Sequence, residues 1–193
     1  GTMLLPTDAY RYGGTAVFAS RDQGEIWSEW TRFGWQHERF ARPGGQAGWI
    51  AGIHAPMVLL KDGRWLAFGR AHDIDGRSPC SISSDQGKTW TYQASPFPPL
   101  HSGQRAVLKR LEDGPILYVS FARPKDGLDM TDAKGQSRPV HGMFAALSFD
   151  EGKTWPHLKL IPRSSNHPDV ADGGGYLSCV QTPDRVIHLL SSH

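Results

Sequence analysis

The sequence is poor in the features that mark metal centres and nucleic-acid binders. Only two of its 193 residues are cysteines, Cys80 and Cys179, and neither has a Cys or His partner at zinc-finger spacing. We therefore expect two buried free thiols and neither a metal nor a cofactor. The net charge is only +2, with both signs interspersed, so no basic stripe indicates a nucleic-acid partner.

Long apolar runs are also missing. The longest are far too short to cross a bilayer, so no membrane span is expected. Residues 1–12 show no charged segment followed by an apolar one, so no signal peptide is expected there. Glycine (22), proline (14) and tryptophan (7) are plentiful instead, which favours an all-β protein with many tight turns.

A turn motif of the form S-x-D-x-G-x-x-W occurs three times, from Ser20 to Trp27, Ser83 to Trp90 and Ser148 to Trp155. Four fixed positions match by chance on the order of 10⁻⁵ times per starting point at ordinary residue frequencies. Each copy follows a short apolar segment typical of a strand, at residues 15–19, 79–82 and 143–147. Three copies at nearly even spacing therefore indicate an internal structural repeat.

The chemistry of this motif is that of a turn. The aspartate can accept hydrogen bonds from backbone amides just after it, and the glycine can take a positive φ. The tryptophan begins the returning strand and packs beside the hairpin. We interpret the aspartates as structural residues, not catalytic acids, because local hydrogen bonding already accounts for them.

A second repeat lies between the turn motifs, at residues 54–68, 105–119 and 176–190. Each copy is typical of a strand, a two-residue turn and a strand. Asp62-Gly63 and Asp113-Gly114 provide the turn in the first two copies. Arg185 replaces glycine in the third copy, so that turn is expected to differ in type.

Two hairpins make a four-stranded unit, in which the turn motif joins strands three and four. Such units in series predict a β-propeller. We expect a partial blade at about 1–40, blades at about 41–95 and 96–162, and a partial blade at about 163–193. These make about half of a six-bladed ring, with the other blades supplied by further sequence or another chain. A β-sandwich is the alternative, but sandwiches do not need a repeated turn motif.

Asp-box turns on propeller blades resemble the sialidase (neuraminidase) superfamily of BNR-repeat proteins. The stretch from His54 to Arg70 resembles the sialidase segment in which a Glu opens the inner strand and an Arg follows sixteen residues later. The stretch from Ser148 to Tyr176 resembles the segment that leads to the nucleophilic tyrosine. Asp boxes also occur in other glycosidases, sorting receptors and assembly factors, so they mark the fold and not the activity.

The resemblance implies an exo-acting glycoside hydrolase for an acidic sugar of the sialic acid type. Arginines clamp the sugar carboxylate, a tyrosine is the nucleophile, and a separate aspartate is the general acid. Tyr176 matches the nucleophile and Arg70 the second arginine of the clamp, while Arg138 and His141 are candidates for the third. The resemblance also suggests a secreted or periplasmic protein.

The chain departs from the family pattern at His54, which takes the place of the Glu that helps deprotonate the tyrosine. A neutral histidine can accept that proton. Arg105 opens an inner strand in the same way as His54 and Tyr176, and we expect all three to face one mouth. Arg70 as a strand-end cap and Tyr176 as a structural aromatic are the alternatives for those residues. A non-catalytic propeller that binds glycans or proteins is the alternative for the whole chain.

The remaining histidines of interest, His72, His101 and His167, are expected to be polar loop residues. The loop at 163–175 is long enough for a lid, although a plain surface excursion is the preferred interpretation.

Overall fold

The computed structural model describes residues 1–9, 13–30, 45–126, 128–131, 134–164, 166 and 171–192. Among these residues the regular structure is β-strand, apart from one turn of 3-10 helix at Pro124–Asp126. No helix within the described ranges is long and apolar enough to cross a membrane. The chain divides into two compact units, Gly1–Pro96 and Phe97–His193, each of which is described by itself.

The first unit contains two antiparallel sheets. Its strands are β1 (Met3–Ala9), β2 (Gly14–Ser20), β3 (Ser28–Glu29), β4 (Gly45–Ala47), β5 (Ile50–Ala51), β6 (Met57–Leu59), β7 (Trp65–Phe68), β8 (Pro79–Ser83) and β9 (Trp90–Ala94). One sheet has the order β1-β2-β3, with β5 also paired to β2, and the other has the order β4-β9-β8-β7-β6. The consecutive strands β6 to β9 form the expected pair of hairpins, and β4 adds a fifth strand that the repeat did not predict.

The second unit is built around one four-stranded sheet. Its strands are β10 (Gln104–Arg105), β11 (Val107–Arg110), β12 (Ile116–Ala122), β13 (Leu128–Thr131), β14 (Ser137–Val140), β15 (Gly142–Ser148), β16 (His157–Leu160), β17 (Gly175–Tyr176), β18 (Ser178–Gln181) and β19 (Ile187–Leu190). The main sheet has the order β11-β12-β15-β16. The hairpin β13–β14 is inserted between β12 and β15, the hairpin β18–β19 follows, and β10 pairs with β17 in parallel.

Each unit has its own apolar core. In the first unit, the tryptophan of the second Asp box, Trp90, is fully buried against Val17 and Ile50. In the second, Trp155 of the third box packs edge-on against Phe97 with ring centroids 5.2 Å apart. The predicted packing of these tryptophans is therefore confirmed at the second and third boxes, whereas Trp27 is half-buried. Trp90 also begins the returning strand, while Trp155 lies two residues before β16.

The second and third Asp boxes join the third and fourth strands of a hairpin pair, and the first box joins β2 to β3. All three boxes have the same hydrogen bonds. In each box the serine hydroxyl donates to the aspartate, and the serine oxygen accepts the glycine N–H at 2.8 Å. The aspartate also accepts the N–H of the residue four positions on, at 2.8–3.0 Å. The predicted turn chemistry is confirmed, and each box glycine has a positive φ.

The residue before each box glycine also has a positive φ, which the sequence pattern did not reveal. The values are 62° at Gln23, 64° at Gln86 and 64° at Glu151. Two successive left-handed residues turn the chain sharply enough for the serine to reach the glycine amide.

The second set of hairpins uses a longer turn than the two-residue turn expected from Asp-Gly. Leu60 donates its N–H to Arg64 O at 2.7 Å and accepts the Gly63 N–H at 3.0 Å. Three residues, 61–63, therefore form the loop, and the last of them is left-handed, as in a type I turn followed by a bulge. The hairpin β11–β12 has the same hydrogen bonds.

The third of these turns is of the same type as the others, so the expected difference in type was wrong. Thr182 accepts the Arg185 N–H at 2.8 Å and donates its own N–H to Val186 O at 3.0 Å. Arg185 has a φ of 68°, where the corresponding Gly63 has 86°. The hydrogen bonds of the turn hold a non-glycine residue in the left-handed region.

The two cysteines differ in their environment. Cys80 is buried, and this burial raises the pKa of its thiol to about 12. Cys179 is only half-buried, so the expectation of two buried thiols is right for Cys80 and wrong for Cys179. Both are free thiols.

Candidate functional site

Two chain segments of the first unit pair in antiparallel fashion just after the end of β7. Ile53 and Arg70 exchange backbone hydrogen bonds of 2.9 Å in both directions. Gly52 permits the close approach, because a Cβ there would lie 2.6 Å from the Arg70 carbonyl oxygen. Gly69 does the same from the other side, since its Cβ would lie 1.8 Å from Ala51 O. The structure thus brings the backbone of Arg70 beside the residue that precedes His54.

Arg70 itself is a buried residue, with a relative exposure of 8%. An arginine that merely caps the end of a strand would keep its charged head in water. The burial therefore argues against the surface-cap alternative and leaves Arg70 as a candidate for binding an anion.

His54 is held by a residue that the sequence did not single out, Asp8 at the end of β1. One carboxylate oxygen of Asp8 accepts the His54 backbone N–H at 2.6 Å. The other lies 2.8 Å from the imidazole Nδ1. The two residues are 46 positions apart, so no local pattern could have pointed to Asp8.

Thr15 fixes the same segment from β2. It is directly opposite Asp8 in the β1–β2 register and is fully buried. Its hydroxyl donates to Gly52 O at 2.9 Å and accepts the Ala55 N–H at 3.2 Å. His54 therefore lies in a short segment whose backbone is held on both sides. Asp8, Thr15, His54 and Arg70 together are named the His54 site below.

His72 contacts Gly13, the residue just before β2. A Cβ on Gly13 would lie 2.4 Å from the His72 Nε2, so the imidazole is packed against the Gly13 backbone. It is therefore in close contact with the start of β2 and is not simply a solvated loop residue. His167, the other loop histidine of interest, lies outside the described residues, as do 165 and 168–170 of the loop at 163–175.

In the second unit the structure brings Arg105 and Tyr176 together. They are direct partners in the parallel pairing of β10 with β17. The Arg105 carbonyl accepts the Leu177 N–H at 3.2 Å, and Gly103 O accepts the Gly175 N–H at 2.8 Å. Neighbouring strands lie about 4.8 Å apart, and side chains of paired residues extend to the same side. Both residues are exposed, Tyr176 to 42%.

Gln104 fixes the two strands that carry this pair. Its side-chain oxygen accepts the His101 N–H at 2.8 Å, and its amide nitrogen donates to Gly173 O at 2.7 Å. Gln104 is buried. The Gln104 side chain therefore links the chain before β10 to the chain before β17.

Arg138 and His141 are placed elsewhere in the second unit. Arg138 lies on β14, opposite Met130 of β13, and His141 follows that strand; both are exposed. The strand pairing that joins Arg105 to Tyr176 does not include them. Their assignment to the third arginine position stays a prediction.

A charged cluster around Asp126 was missed by the sequence analysis. The Asp126 side chain is only 4% exposed, and Arg123 donates to it from Nη2 at 2.9 Å and from Nε at 3.1 Å. Burial alone would raise the pKa of Asp126, but the hydrogen bonds from Arg123 hold it below its ordinary value. His101 Nε2 lies 3.5 Å from the same carboxylate, and burial lowers the pKa of this histidine. His101 is therefore part of a charged cluster and not only a loop residue.

The Asp-box aspartates are poor candidates for acid catalysis. A hydrogen bond from the Thr154 side chain, with others from the backbone and Ser148, lowers the pKa of Asp150 to about 2. The pKa of Asp22 is lowered mainly by the Ser20 hydroxyl. At Asp85 partial burial would raise the pKa, but the hydrogen bonds from Thr89, Ser83 and Lys88 together lower it. Groups that stay ionised near neutral pH have no proton to give, which supports their interpretation as structural residues.

Comparison with known proteins identifies the fold. No family model and no curated protein sequence matches the chain. A protein of unknown function from Dyadobacter fermentans matches with a TM-score of 0.58 and 18% identity over 98% of this chain and 49% of its own. An alpha-L-arabinofuranosidase from Fusarium graminearum, solved with an iminosugar inhibitor, matches with a TM-score of 0.55 and 18% identity over 99% of this chain and 54% of its own.

The chain has a β-propeller fold. It spans about half the length of the two solved structures. At this level of identity the likeness shows the fold alone. The proposed blade limits, the number of blades and membership of the sialidase superfamily therefore stay predictions.

The parallel pairing of Arg105 with Tyr176 agrees with the propeller fold. Propeller blades are arranged around a central channel, so the inner strands of neighbouring blades run side by side in the same direction. β10 leads into β11, and β17 leads into β18, which are the first strands of their sheets. The predicted location of both residues at inner-strand starts is consistent with this pairing. That His54 and Arg70 of the first unit share a mouth with them stays a prediction.

Proposed function

We propose that the protein is a glycoside hydrolase for an acidic sugar, in which Tyr176 is the nucleophile and Arg105 binds the sugar carboxylate. The observation that supports this most is the direct pairing of these two residues on exposed, adjacent strands. A glycosidase-like function also agrees with the fold, since one solved neighbour is an alpha-L-arabinofuranosidase.

The chemistry requires the two residue types to be close. A protonated phenol is a weak nucleophile and becomes effective when a base takes its proton or a cation stabilises its anion. A guanidinium can do the second and can also bind a carboxylate through paired, charge-assisted hydrogen bonds. One arginine beside the tyrosine thus orients the substrate and favours the phenolate.

The proposed reaction has two steps and retains the anomeric configuration. Tyr176 gives its phenolic proton to a base and its oxygen bonds to the anomeric carbon as the glycosidic C–O bond breaks, while a general acid protonates the leaving oxygen. Water then attacks the same carbon, releases the sugar and returns the tyrosine to its free form. We assign His54 the role of accepting a hydroxyl proton, and Arg70 a role in binding the acidic group of the sugar.

The first test is hydrolysis of a fluorogenic sialoside by the complete protein, the Tyr176→Phe variant and the Arg105→Met variant. We expect the phenylalanine variant to lose kcat by at least about 10³-fold, because the covalent route needs the phenolic oxygen. We expect the methionine variant to raise KM and lower kcat together.

A matched control is Tyr92→Phe, which removes a phenolic oxygen from a buried residue of β9. Turnover that is unaffected by Tyr176→Phe would show that the assignment of Tyr176 as the nucleophile is wrong. Absence of turnover with retained binding of sialosides would replace the hydrolase by the glycan-binding alternative, which the presence of His54 at the usual Glu position favours.

A further inference from the structure

We infer that Asp8 is a positioning residue that keeps the His54 imidazole in the tautomer with hydrogen on Nδ1, so that Nε2 is the proton acceptor. This deepens the proposed function, because it rests on the role of His54 as a base. Asp8 is not placed in contact with the reacting atoms, and its effect is exerted through His54.

The hydrogen bonds define the tautomer. An ionised carboxylate only accepts hydrogen bonds, so the atom that faces it must carry the hydrogen. Oδ2 of Asp8 faces Nδ1 of His54 at 2.8 Å, a normal distance for a hydrogen bond. The hydrogen therefore resides on Nδ1, and the lone pair of the neutral ring is on Nε2.

The backbone of His54 is fixed by the same carboxylate. Oδ1 of Asp8 accepts the His54 N–H at 2.6 Å, so a single side chain orients both the main chain and the ring. His54 has a φ of 53°, in the left-handed region that few non-glycine residues occupy. Strained backbone of this kind is often found at functional sites, where the surrounding contacts hold it in place.

The surroundings of His54 supply those contacts and leave its side chain partly exposed. The Thr15 hydroxyl holds Gly52 and Ala55 on either side of it. The His54 side chain is 22% exposed and that of Asp8 27%, so the pair is neither buried in the core nor fully in water. This partial exposure allows a ligand hydroxyl to approach, while the Asp8 contact remains shielded enough to persist.

The proton transfer balances without any further reactant. The Nε2 lone pair takes the hydroxyl proton, and the oxygen keeps the bonding electrons for its attack. The imidazolium that forms has its positive charge beside the Asp8 carboxylate, which stabilises it. Return of the proton to an oxygen later in the cycle restores the neutral ring.

The test is the nitrogen-15 NMR spectrum of the histidine rings in the complete protein at a pH where His54 is neutral, with His54→Gln used to assign its signals. We expect the wild-type spectrum to show hydrogen on Nδ1. In Asp8→Asn the amide oxygen can still accept the His54 N–H, but the NH₂ group then faces Nδ1 and requires it to be an acceptor. We therefore expect the hydrogen to move to Nε2.

A wild-type ring with hydrogen on Nε2, or an Asp8→Asn ring with an unchanged tautomer, would overturn the inference. The wild-type spectrum decides the matter even if the variant fails to fold. Because the spectrum needs no substrate, a protein with the expected tautomer but no turnover would reject the proposed function and leave the role of Asp8 intact.

Kinetics on an acidic-sugar substrate provide a second readout. We expect Asp8→Asn to lower kcat by about 10²–10⁴-fold with little change in KM, by analogy with the wrong-tautomer variant of the serine protease triad. The matched control is Asp62→Asn, which alters an exposed hairpin turn where Asp62 binds Arg64. Equal losses of kcat in the two variants would contradict a positioning role.

Discussion

Gly52 leaves no space for a side chain beside Arg70: a Cβ on Gly52 would lie 2.6 Å from the Arg70 carbonyl oxygen. Its φ of 83° is also one that residues with a side chain rarely adopt. The antiparallel contact between these two segments places Arg70 and His54 in the same part of the first unit. The His54 site therefore depends on this contact.

We expect Gly52→Ala to destabilise the protein by about 3 kcal/mol, because the strained φ costs about 1–2 kcal/mol and the clash with the Arg70 backbone adds to it. Urea unfolding measures the loss. Gly63→Ala is the matched control, since Gly63 has a φ of 86° but open space around its Cβ position. Equal losses in the two variants would show that the contact between the Gly52 and Arg70 segments is not tightly packed.

Arg185 occupies a left-handed position that its two counterparts fill with glycine. We expect Arg185→Gly to stabilise the protein by up to about 1 kcal/mol, because glycine relieves this strain. The greater conformational entropy of glycine in the unfolded chain offsets a small part of this stabilisation. The change also removes an exposed ion pair with Asp113 at 3.1 Å, and such pairs contribute about 0–1 kcal/mol. Asp113→Asn measures that contribution separately. A clear destabilisation by Arg185→Gly, beyond that of Asp113→Asn, would contradict the assigned turn.

The lowered pKa of the box residue Asp150 leads us to expect a loss of folding stability in acid. The hydrogen bonds of the folded protein lower the pKa of Asp150 to about 2 from its ordinary value of 3.8, so the carboxylate contributes stability at pH values above the unfolded pKa. This contribution is lost as the pH falls through about 3.8 toward 2. We expect the urea midpoint to fall in this window for the wild type and to fall less for Asp150→Asn. Parallel pH curves for the two proteins would show that the box carboxylate does not contribute.

The third Asp box is also attached to the neighbouring hairpin turn by an ion pair. Arg110 donates from Nη1 to Glu151 at 3.0 Å and from Nη2 at 2.5 Å, and it also donates to Gly114 O. Both side chains are mostly buried, so the pair is less screened than a surface pair. We expect a coupling of about 1 kcal/mol between Arg110→Met and Glu151→Gln in a double-mutant cycle followed by urea unfolding. A coupling energy near zero would show that solvent screens this ion pair as it screens a fully exposed one.

The sequence predicted the features that depend on nearby residues. In the Asp boxes the donors and acceptors lie within four positions of each other, so the predicted acceptance of backbone N–H groups by Asp85 is found, from Lys88 and Thr89. The hydrogen bonds of the box serine were not predicted. The strands on either side follow from apolar segments that end at these turns. Repetition then indicated the propeller, because a single hairpin does not determine how sheets are arranged.

The features that were missed either depend on residues far apart in the chain or lie in short segments of atypical composition. Asp8 reaches His54 across 46 positions, and only the pairing of β1 with β2 and of β2 with β5 places them together. The left-handed φ of Arg185 was missed because its residue type argues against it, whereas the hydrogen bonds of the turn impose it. Strand β4 is short and rich in glycine and glutamine, so it has no recognisable strand pattern.

The most direct test of the account is capture of the covalent intermediate. The complete protein is treated with an acidic-sugar fluoride that carries a second fluorine to slow hydrolysis of the glycosyl-enzyme, and the digested protein is mapped by mass spectrometry. We predict one added sugar on the peptide that contains Tyr176, and none in Tyr176→Phe. A label on another residue, or turnover by a protein that never acquires a label, would contradict the assignment of Tyr176 as the nucleophile.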